Sequence, residues 1–533
     1  MPEEPAHPSW PLESATEAPG SSPRISRRTA LLLGGAAALA GGGAIGLPRW
    51  IDGDSSPRLM TPTDPAVAAA EEARRRTGRV VERTLTPAPS RVDLGGRVVD
   101  TWSYDGSLPG KPIEVTAGDE LSVRLVNGLA EPTSVHWHGV ALRNDMDGVP
   151  DLTQRATAPG AEFAYDFVVP DPGTYWFHPH VGVQLDTGLY APLVVADPAE
   201  PGKYDEEVVL VLDDWTDGWG KPPADLLAGF RRDGMGDMSG MDGMDGMDGM
   251  DGMDGMEMGM PSADEPLGAD TGDVSYPAHL INGRLPSAPV TVTSAPNQRI
   301  RFRIINAASD TAYRFAVGGH RLTVTHTDGF PVVPIVVDAL IVGMGERYDV
   351  VVTAGDGVFP IVASPEGKMD PEARALLRTA SGEVPPLGRS PAELSRRLLS
   401  YADLVAAPEV ELGAGHVDRE LTMKLTMDDQ GRRWLFNGRT FEEHEPLAVA
   451  AGERVRVRLV NDSMMFHPIH LHGHTFAVAR RDGRGVRKDN LNVLPMEQVD
   501  IDLVADNPGR WAVHCHNVYH MELGMMTSIA YEV

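Results

Sequence analysis

The most chemically informative residues of the chain are a cysteine and three histidines near the C-terminus. His514, Cys515 and His516 are consecutive, and His520 and Met525 follow shortly after them. Cys515 is the only cysteine among 533 residues, so it cannot form an intramolecular disulfide. A thiolate, two imidazoles and a weak thioether together make a copper site of the blue electron-transfer type. These residues therefore predict a copper centre with Cys515 as one ligand.

The histidines of the chain are concentrated in clusters. Ten of the 17 fall into four short groups: His136 and His138; His178 and His180; His467, His470 and His472; His514, His516 and His520. On a strand, side chains two residues apart point to the same face, so each His-x-His pair presents two imidazoles together. In His-Cys-His, the cysteine then faces the opposite way. One metal site is expected on each side, joined by a single tripeptide of backbone.

Three segments of the chain repeat one alternating pattern. Residues 113–127, 290–306 and 447–461 each alternate apolar and polar side chains and end in asparagine. This pattern predicts half-buried strands. Nine and eleven residues after the asparagine, the first and third copies have histidines, whereas the second has Phe315 and Val317. The first and third repeats are therefore expected to carry metal ligands, and the second none.

The segments that carry the remaining histidines also match each other. GTYWFHPH (residues 173–180) aligns with GRWAVHCH (residues 509–516), and Pro179 stands where the second segment has Cys515. The first repeat thus carries half of a histidine cluster without a thiolate. The third carries the other half together with the thiolate site.

These motifs resemble those of the three-domain multicopper oxidases, which include laccases and bacterial cuprous oxidases. The resemblance rests on HWHG, HPH, HPIHLHGH and HCHNVYHMELGMM and extends from about residue 80 to the C-terminus. It implies three cupredoxin-like Greek-key β-sandwich domains. The abundant glycine and proline, the recurring strand-like segments and the scarce helical periodicity also predict an all-β fold.

The resemblance further implies four copper ions and assigns their ligands. A type 1 copper is expected at His467, Cys515, His520 and, axially, Met525. A type 2 copper is expected at His136 and His470. The six ligands expected for a type 3 pair are His138, His178, His180, His472, His514 and His516.

Two acids are expected to take part in the chemistry. Asp147 matches the family acid near the trinuclear cluster, where it would supply protons for oxygen reduction. The family often has an acid directly after the last histidine; Met521 stands there in this chain, and Glu522 is expected to substitute for it.

Several methionines favour a metal substrate. In cuprous oxidases the methionine two residues before the type 1 histidine binds substrate copper, and here that residue is Met465, preceded by Met464. The usual acidic companion is replaced by Ser463, with Asp462 one step away. An insert at 234–260, rich in Met, Asp and Gly, has no pattern that could form a core, and its soft thioethers select Cu(I). The candidate ligands in the insert are Met241, Met244, Met247, Met250 and Met253.

Three functions are compatible with these residues. The favoured hypothesis is oxidation of Cu(I) coupled to four-electron reduction of O2 to water, in copper tolerance. The first alternative is laccase-like oxidation of phenols or aromatic amines. The second, of another class, is an exported protein that binds and stores copper. Met525 in the axial position indicates a modest reduction potential, which suits Cu(I) and easily oxidised phenols.

Charge and leader sequence restrict partners and location. A net charge of −29 argues against nucleic-acid binding, because a phosphate-binding surface must be basic. Arg27 and Arg28 precede a mildly apolar run, which predicts export by the Tat machinery to the periplasm, cell envelope or exterior. A monomer is expected.

The predicted boundaries follow from the repeats and from shifts in composition. Residues 366–414 are expected to be a linker with a short helix around 391–404. The other predicted segments are 1–77 for the signal and a disordered leader, 78–200 for domain 1, 205–365 for domain 2 with its insert at 234–260, and 415–533 for domain 3.

Overall fold

The computed structural model describes residues 58–200, 202–235, 261–262 and 265–533. Within these ranges strands dominate, which confirms the all-β prediction. The strands fall into three regions that follow one another along the chain. They are called the first, central and third regions below.

The first region consists of a short helix and three sheets. The helix is α1 (Pro65–Glu72). The strands are β1 (Val80–Leu85), β2 (Pro87–Asp93), β3 (Val98–Tyr104), β4 (Ile113–Thr116), β5 (Glu120–Val126), β6 (His136–His138), β7 (Glu162–Val168), β8 (Gly173–His178) and β9 (Ala191–Ala196). Their hydrogen-bonded orders are β1-β5-β7, β2-β3 and β4-β9-β8-β6. Pairing of β6 with β8 sets the first two histidine pairs side by side.

The central region contains two larger sheets and one helix. The strands are β10 (Glu206–Trp215), β11 (Ala278–Ile281), β12 (Thr291–Thr293), β13 (Arg299–Asn306), β14 (Tyr313–Val317), β15 (Leu322–Thr327), β16 (Phe330–Val337), β17 (Leu340–Val342), β18 (Arg347–Thr353), β19 (Val358–Pro365) and β20 (Ala373–Arg378). Helix α2 (Pro223–Asp233) follows β10. The orders are β11-β10-β13-β18-β15-β16 and β12-β20-β19-β14-β17.

The third region repeats this plan. The strands are β21 (Arg419–Met427), β22 (Trp434–Phe436), β23 (Leu447–Val449), β24 (Arg454–Asn461), β25 (His467–Leu471), β26 (Phe476–Val478), β27 (Arg487–Lys488), β28 (Asn490–Val493), β29 (Gln498–Val504), β30 (Arg510–Cys515) and β31 (Met526–Tyr531), with helix α3 (Val518–Glu522) before the last. The orders are β22-β21-β24-β29-β26-β27 and β23-β31-β30-β25-β28. Short 3-10 helices span Asn144–Met146, Gln184–Thr187, Ala392–Ser395, Tyr401–Asp403, Pro408–Val410 and Phe441–Glu443.

The predicted repeats form equivalent strands in all three regions. Strands β5, β13 and β24 each pair in parallel with one neighbour, which is β1, β10 or β21. Each pairs antiparallel with the other neighbour, which is β7, β18 or β29. In β5 and β24 alternate residues are buried, as a strand with one face on a core requires, whereas β13 is buried at every position after its first. One apolar cluster extends through the first and third regions, and the central region has its own.

The predicted leader is too long. Met60 and Val67 are buried, and the Met60 N–H donates to the Tyr531 carbonyl at 2.7 Å, so this part of the chain packs beside β31. Asp64 caps α1 by accepting from the Ala66 N–H. Residues 58–77 are therefore folded, because their small apolar side chains find a partner surface. The rest of the predicted signal lies outside the described residues.

The predicted linker also differs from the structure. Residues 366–414 begin within a sheet, because β20 pairs with β12 and β19. The expected helix at 391–404 is replaced by two 3-10 turns. The buried side chains here are Leu394, Leu399 and Leu404, and a spacing of five does not follow one helical face. No described helix has the length and apolar character needed to span a membrane.

Glu71 provides a test of how firmly α1 is attached. Its carboxylate is buried, accepts from the Val168 N–H at 2.7 Å and pairs with Arg74 at 2.9 Å. Glu71→Ala leaves these donors without a partner and should lower the free energy of unfolding by about 1–3 kcal/mol, measured by urea denaturation. The control is Glu72→Ala, whose side chain is exposed. Equal stability of the two variants would contradict a structural role for α1.

Candidate metal centres

Cys515 lies in a small buried site with two histidines. Strand β25 supplies His467, β30 supplies Cys515 and α3 supplies His520. Cys515 Sγ lies 3.7 Å from His467 Nδ1 and 3.6 Å from His520 Nδ1, and the two Nδ1 atoms are 3.2 Å apart. Asn517 orients α3 by accepting from the N–H groups of its first turn. A sulfur and two imidazole nitrogens thus converge as a metal site requires.

The surroundings of this site are apolar and aromatic. The Trp434 ring lies 4.5 Å from the His467 ring and 4.6 Å from the His520 ring, measured between centroids. Trp434 Nε1 donates to Met235 Sδ at 2.9 Å. Met525 is fully buried, and its backbone bonds both to Cys515 and to His520. The backbone of the predicted axial methionine is therefore held next to two predicted ligands.

An acid that sequence reasoning missed lies on the outer edge of His520. Asp273 Oδ2 is 2.9 Å from His520 Nε2, on the opposite side of the ring from the atom that faces Cys515. The Asp310 carboxylate accepts from the N–H groups of Asp273 and Val274 and so holds this loop in place. Lys368 Nζ donates to Asp310 at 2.7 Å. Burial raises the pKa of Asp273 above its ordinary range.

The remaining eight clustered histidines meet between the first and third regions. Register sets His136 opposite His178 and His470 opposite His514. The eight, all buried, are His136, His138, His178, His180, His470, His472, His514 and His516. Four sets of three groups, all but one composed only of histidines, bring their ligand atoms within 4.8 Å of one another. The structure thus brings together every histidine predicted for the trinuclear site.

Backbone carbonyls orient several of these rings. The Nδ1 atoms of His136, His178, His470 and His514 lie 2.9–3.0 Å from carbonyl oxygens. The Nε2 atoms of His136, His178 and His470 are therefore buried without a hydrogen-bond partner. Both ring nitrogens of His138 and of His516 are also buried and unpaired. Buried polar atoms are otherwise almost always satisfied. Unpaired nitrogens that face one another fit bound metal ions, which are held by imidazoles oriented in this way.

Burial also keeps most imidazoles of the eight-histidine cluster neutral. It lowers the pKa of most cluster histidines well below the ordinary value, and neighbouring imidazoles lower it further. A neutral imidazole is the form that binds a metal. Thiolate, imidazole and thioether on one side, with imidazoles alone on the other, suit copper.

The two predicted catalytic acids lie in different places. Asp147 is fully buried, with its carboxylate oxygens 3.2 Å from His136 Nδ1 and 2.9 Å from His472 Nδ1. Glu522 instead pairs with Arg231 of α2 at 3.2 Å and makes no hydrogen bond to a cluster histidine among the described residues. The last turn of α3 faces α2. Glu522 therefore lies beside α2, and its substitution for the family acid stays a prediction.

A second group missed from the sequence is a buried ion network. Arg347 donates two hydrogen bonds to Asp489, at 2.7 and 2.6 Å, and Asp489 Oδ1 lies 3.3 Å from His138 Nε2 and 3.4 Å from His470 Nδ1. A Cβ atom at Gly345 would lie 2.8 Å from the His516 ring, so only glycine allows this approach. The central region, whose described residues supply no member of these histidine sets, thus contacts the cluster directly.

The predicted substrate-copper residues are only partly brought together. Met464 is 44% exposed whereas Met465 is 3% exposed, and Asp462 pairs with Lys424 at 2.7 Å. Ser463 Oγ lies 3.0 Å from His467 Nε2. The methionines from 241 to 253 lie outside the described residues, so their role stays a prediction.

Comparisons with known proteins agree with this arrangement. Three sequence models of one family, each described as multicopper oxidase, match residues 88–200, 261–382 and 416–533. Together they cover most of the three regions and all the clustered histidines.

Individual relatives match most of this chain and most of their own length. The multicopper oxidase MmcO of Mycobacterium tuberculosis is 49% identical over 87% of this chain and 90% of its own. A copper resistance protein A homolog of Pseudomonas syringae pv. tomato is 30% identical over 85% and 92%. A solved multi-copper oxidase from Pseudomonas thermotolerans has a TM-score of 0.63 and 27% identity, over 85% and 99%.

Cys515→Ser tests the thiolate site. The variant should lose the sulfur-to-copper charge-transfer absorption and all oxidase activity, because it lacks both the thiolate and the path through it. Its circular dichroism should match that of the unchanged protein. A charge-transfer band that persists in this variant would show that the thiolate is not a ligand.

His178→Ala tests the division between the two sites. His178 belongs to the eight-histidine cluster and makes no described contact with Cys515, so oxygen uptake should fall to background. The thiolate band should remain and should still bleach on addition of a reductant. Loss of that band together with oxygen uptake would mean that the two sites are not separate.

Proposed function

Because the chain belongs to the multicopper oxidase family, we propose that it oxidises four Cu(I) ions to Cu(II), one electron from each, and uses the four electrons with four protons to reduce one O2 to two waters. The observation that carries this proposal is the carboxylate of Asp273 on the outer edge of His520. A carboxylate there attracts a cation and offers it an oxygen ligand beside a ring that reaches Cys515. The donor of electrons is thus expected to be a metal ion.

A second acid makes the same approach more negative. Asp270 shares a short backbone bridge with Met465. Burial, together with the nearby Asp273, raises the pKa of Asp270 to about 6. When ionised, both carboxylates favour a positive ion over a neutral phenol. The exposed carboxylate of Asp270, next to the segment that contains Met465, suits a metal ion that is released again after oxidation.

We assign four copper ions to the ligands that the structure brings together. His467, Cys515, His520 and Met525 would hold the type 1 ion. His136 and His470 would hold the type 2 ion. A type 3 pair would take His138, His178, His180, His472, His514 and His516. When bound, the type 1 ion would accept single electrons, and the other three ions would deliver electrons to O2.

The chain's own residues connect the two sites and handle protons. Cys515 is the last residue of β30 and lies between His514 and His516 in the chain, so the path from sulfur to cluster is one tripeptide. Reduction of O2 to two waters consumes four protons. Asp147, in contact with His136 and His472, is the acid placed to pass protons to this cluster.

The biological setting is proposed from the relatives and the leader sequence. Relatives include proteins named for copper resistance, and oxidation of Cu(I) in copper tolerance is consistent with those names. Arg27 and Arg28 support Tat export and a location in the periplasm, cell envelope or exterior. Met235 lies at the start of the methionine-rich insert at 234–260, and its sulfur contacts Trp434 at the type 1 site.

Oxygen uptake with Cu(I) and with a phenol, on one copper-loaded sample, decides between the candidate functions. Cu(I) should be the better substrate. Uptake with the phenol alone would favour the laccase-like alternative. Absence of uptake with either would favour copper storage.

Asp273→Asn tests the observation that carries the proposal. Removing the negative charge should raise KM for Cu(I) by about tenfold, as loss of a charged group next to a metal ligand does. It should also raise the reduction potential of the type 1 site, because the charge that stabilises the oxidised form is lost. The matched control is Glu265→Gln, which replaces an exposed acid earlier in the same loop. Equal loss of Cu(I) and phenol oxidation in Asp273→Asn would contradict a role specific to the cation.

A further inference from the structure

A methionine occupies a turn position that normally requires glycine. The Glu497 N–H donates to the Leu494 carbonyl at 3.1 Å and closes a four-residue turn, Leu494-Pro495-Met496-Glu497. Met496, its third residue, has φ of +57°. Proline second and a positive φ third are the features of a type II turn, which favours glycine at the third position. A bulky side chain there is an outlier.

The other two regions confirm that this turn is built for glycine. In the first region the Ala161 N–H donates to the Ala158 carbonyl around Gly160, whose φ is +72°. In the central region the same bond closes the turn around Gly345, whose φ is +83°. The three turns lead into the equivalent strands β7, β18 and β29. Only the third region has exchanged glycine for a strained methionine, and such strain is found mainly at functional positions.

The exchange comes with a shift of the turn toward the type 1 site. The N–H groups of Gly160 and Gly345 donate to the asparagine that ends each repeat, whereas the Met496 N–H donates to Ser463 at 3.2 Å. Ser463 Oγ in turn lies 3.0 Å from His467 Nε2. Met496 is therefore linked through one residue to a predicted type 1 ligand.

Two thioethers are available on this outer surface. Met496 is 50% exposed, and Met464, the residue after Ser463, is 44% exposed. Core packing does not explain either side chain, because neither is buried. Thioether sulfur is a soft ligand that binds Cu(I) and has little affinity for hard cations.

We propose that Met496 and Met464 form an outer capture site for Cu(I), from which the ion reaches the edge of His467 and His520. This inference rests on the proposed Cu(I) oxidation. The site only binds the ion; its single electron leaves at the type 1 centre. Glycine at position 496 would relieve the backbone strain. Binding of Cu(I) by the Met496 thioether is the benefit that offsets this strain.

Two substitutions separate the sulfur from the strain. Met496→Leu keeps the size and the positive φ but removes the ligand, whereas Met496→Gly removes the ligand and relieves the backbone. Both should raise KM for Cu(I) by about tenfold and leave phenol oxidation unchanged. Met496→Gly should also have a higher melting temperature than Met496→Leu. The control is Met369→Leu, in which a fully exposed methionine of the central region is replaced.

A binding measurement gives a readout independent of turnover. Under anaerobic conditions, the fully reduced copper-loaded protein is titrated with Cu(I) against a colorimetric Cu(I) chelator. The unchanged protein and Met369→Leu should retain one additional Cu(I) that Met496→Leu and Met496→Gly lose. Loss of the additional Cu(I) by both Met496 variants, together with a higher melting temperature of Met496→Gly than of Met496→Leu, would support the capture site.

The outcomes distinguish this inference from the proposed function. If the unchanged protein oxidises Cu(I) but both Met496 variants bind and oxidise it normally, the capture site is wrong and the oxidase function stands. If the unchanged protein does not oxidise Cu(I), the proposed function fails. Retention of the additional ion by the Met496 variants would then overturn the capture site as well.

Discussion

Arg347 is completely buried and yet fully charged, and its pairing with Asp489 supports the geometry of the histidine cluster. Asp489 contacts His138 of the first region and His470 of the third, whereas Arg347 belongs to the central region. Lys488, also buried, pairs with Asp328 and Glu346 of the central region. Buried ion pairs add little stability over an apolar core, but losing one partner is costly. The network therefore fixes the relative positions of the three regions. Apolar contacts are less directional and would define these positions less precisely.

The two metal sites depend on one property of a strand, namely that successive side chains point to opposite faces. On β30 this places Cys515 on one face and His514 and His516 on the other, so the path between the sites is as short as the backbone permits. Pairing of β25 with β30 adds His470 opposite His514 and Ile469 opposite Cys515. This register therefore gives Cys515 an apolar neighbour and gives His514 a second imidazole as its neighbour. Two chemical environments thus share one pair of strands.

Much of this could be predicted from the sequence, because ligands in short clusters on strands are close in the chain as well as in space. The repeat and the meeting of the eight histidines both followed from local spacing. Asp273 could not be predicted, since it lies 247 residues before His520 and is brought there by a loop. Nothing in the local sequence distinguishes Arg347 from an ordinary strand residue. The leader and linker were misjudged because short apolar stretches there fold only against distant strands.

The histidine cluster has a consequence for how the protein is made. His180 and His514 meet across 334 residues, so the first half of the cluster leaves the ribosome roughly 20 to 70 seconds before the second at ordinary rates of synthesis. During that time the early histidines have no partners, and any ion that they bind is held by half a site. Metal loading must therefore follow completion of the chain. A truncated product, lacking β30, carries neither the thiolate nor a closed cluster, so only a finished molecule can begin oxygen chemistry.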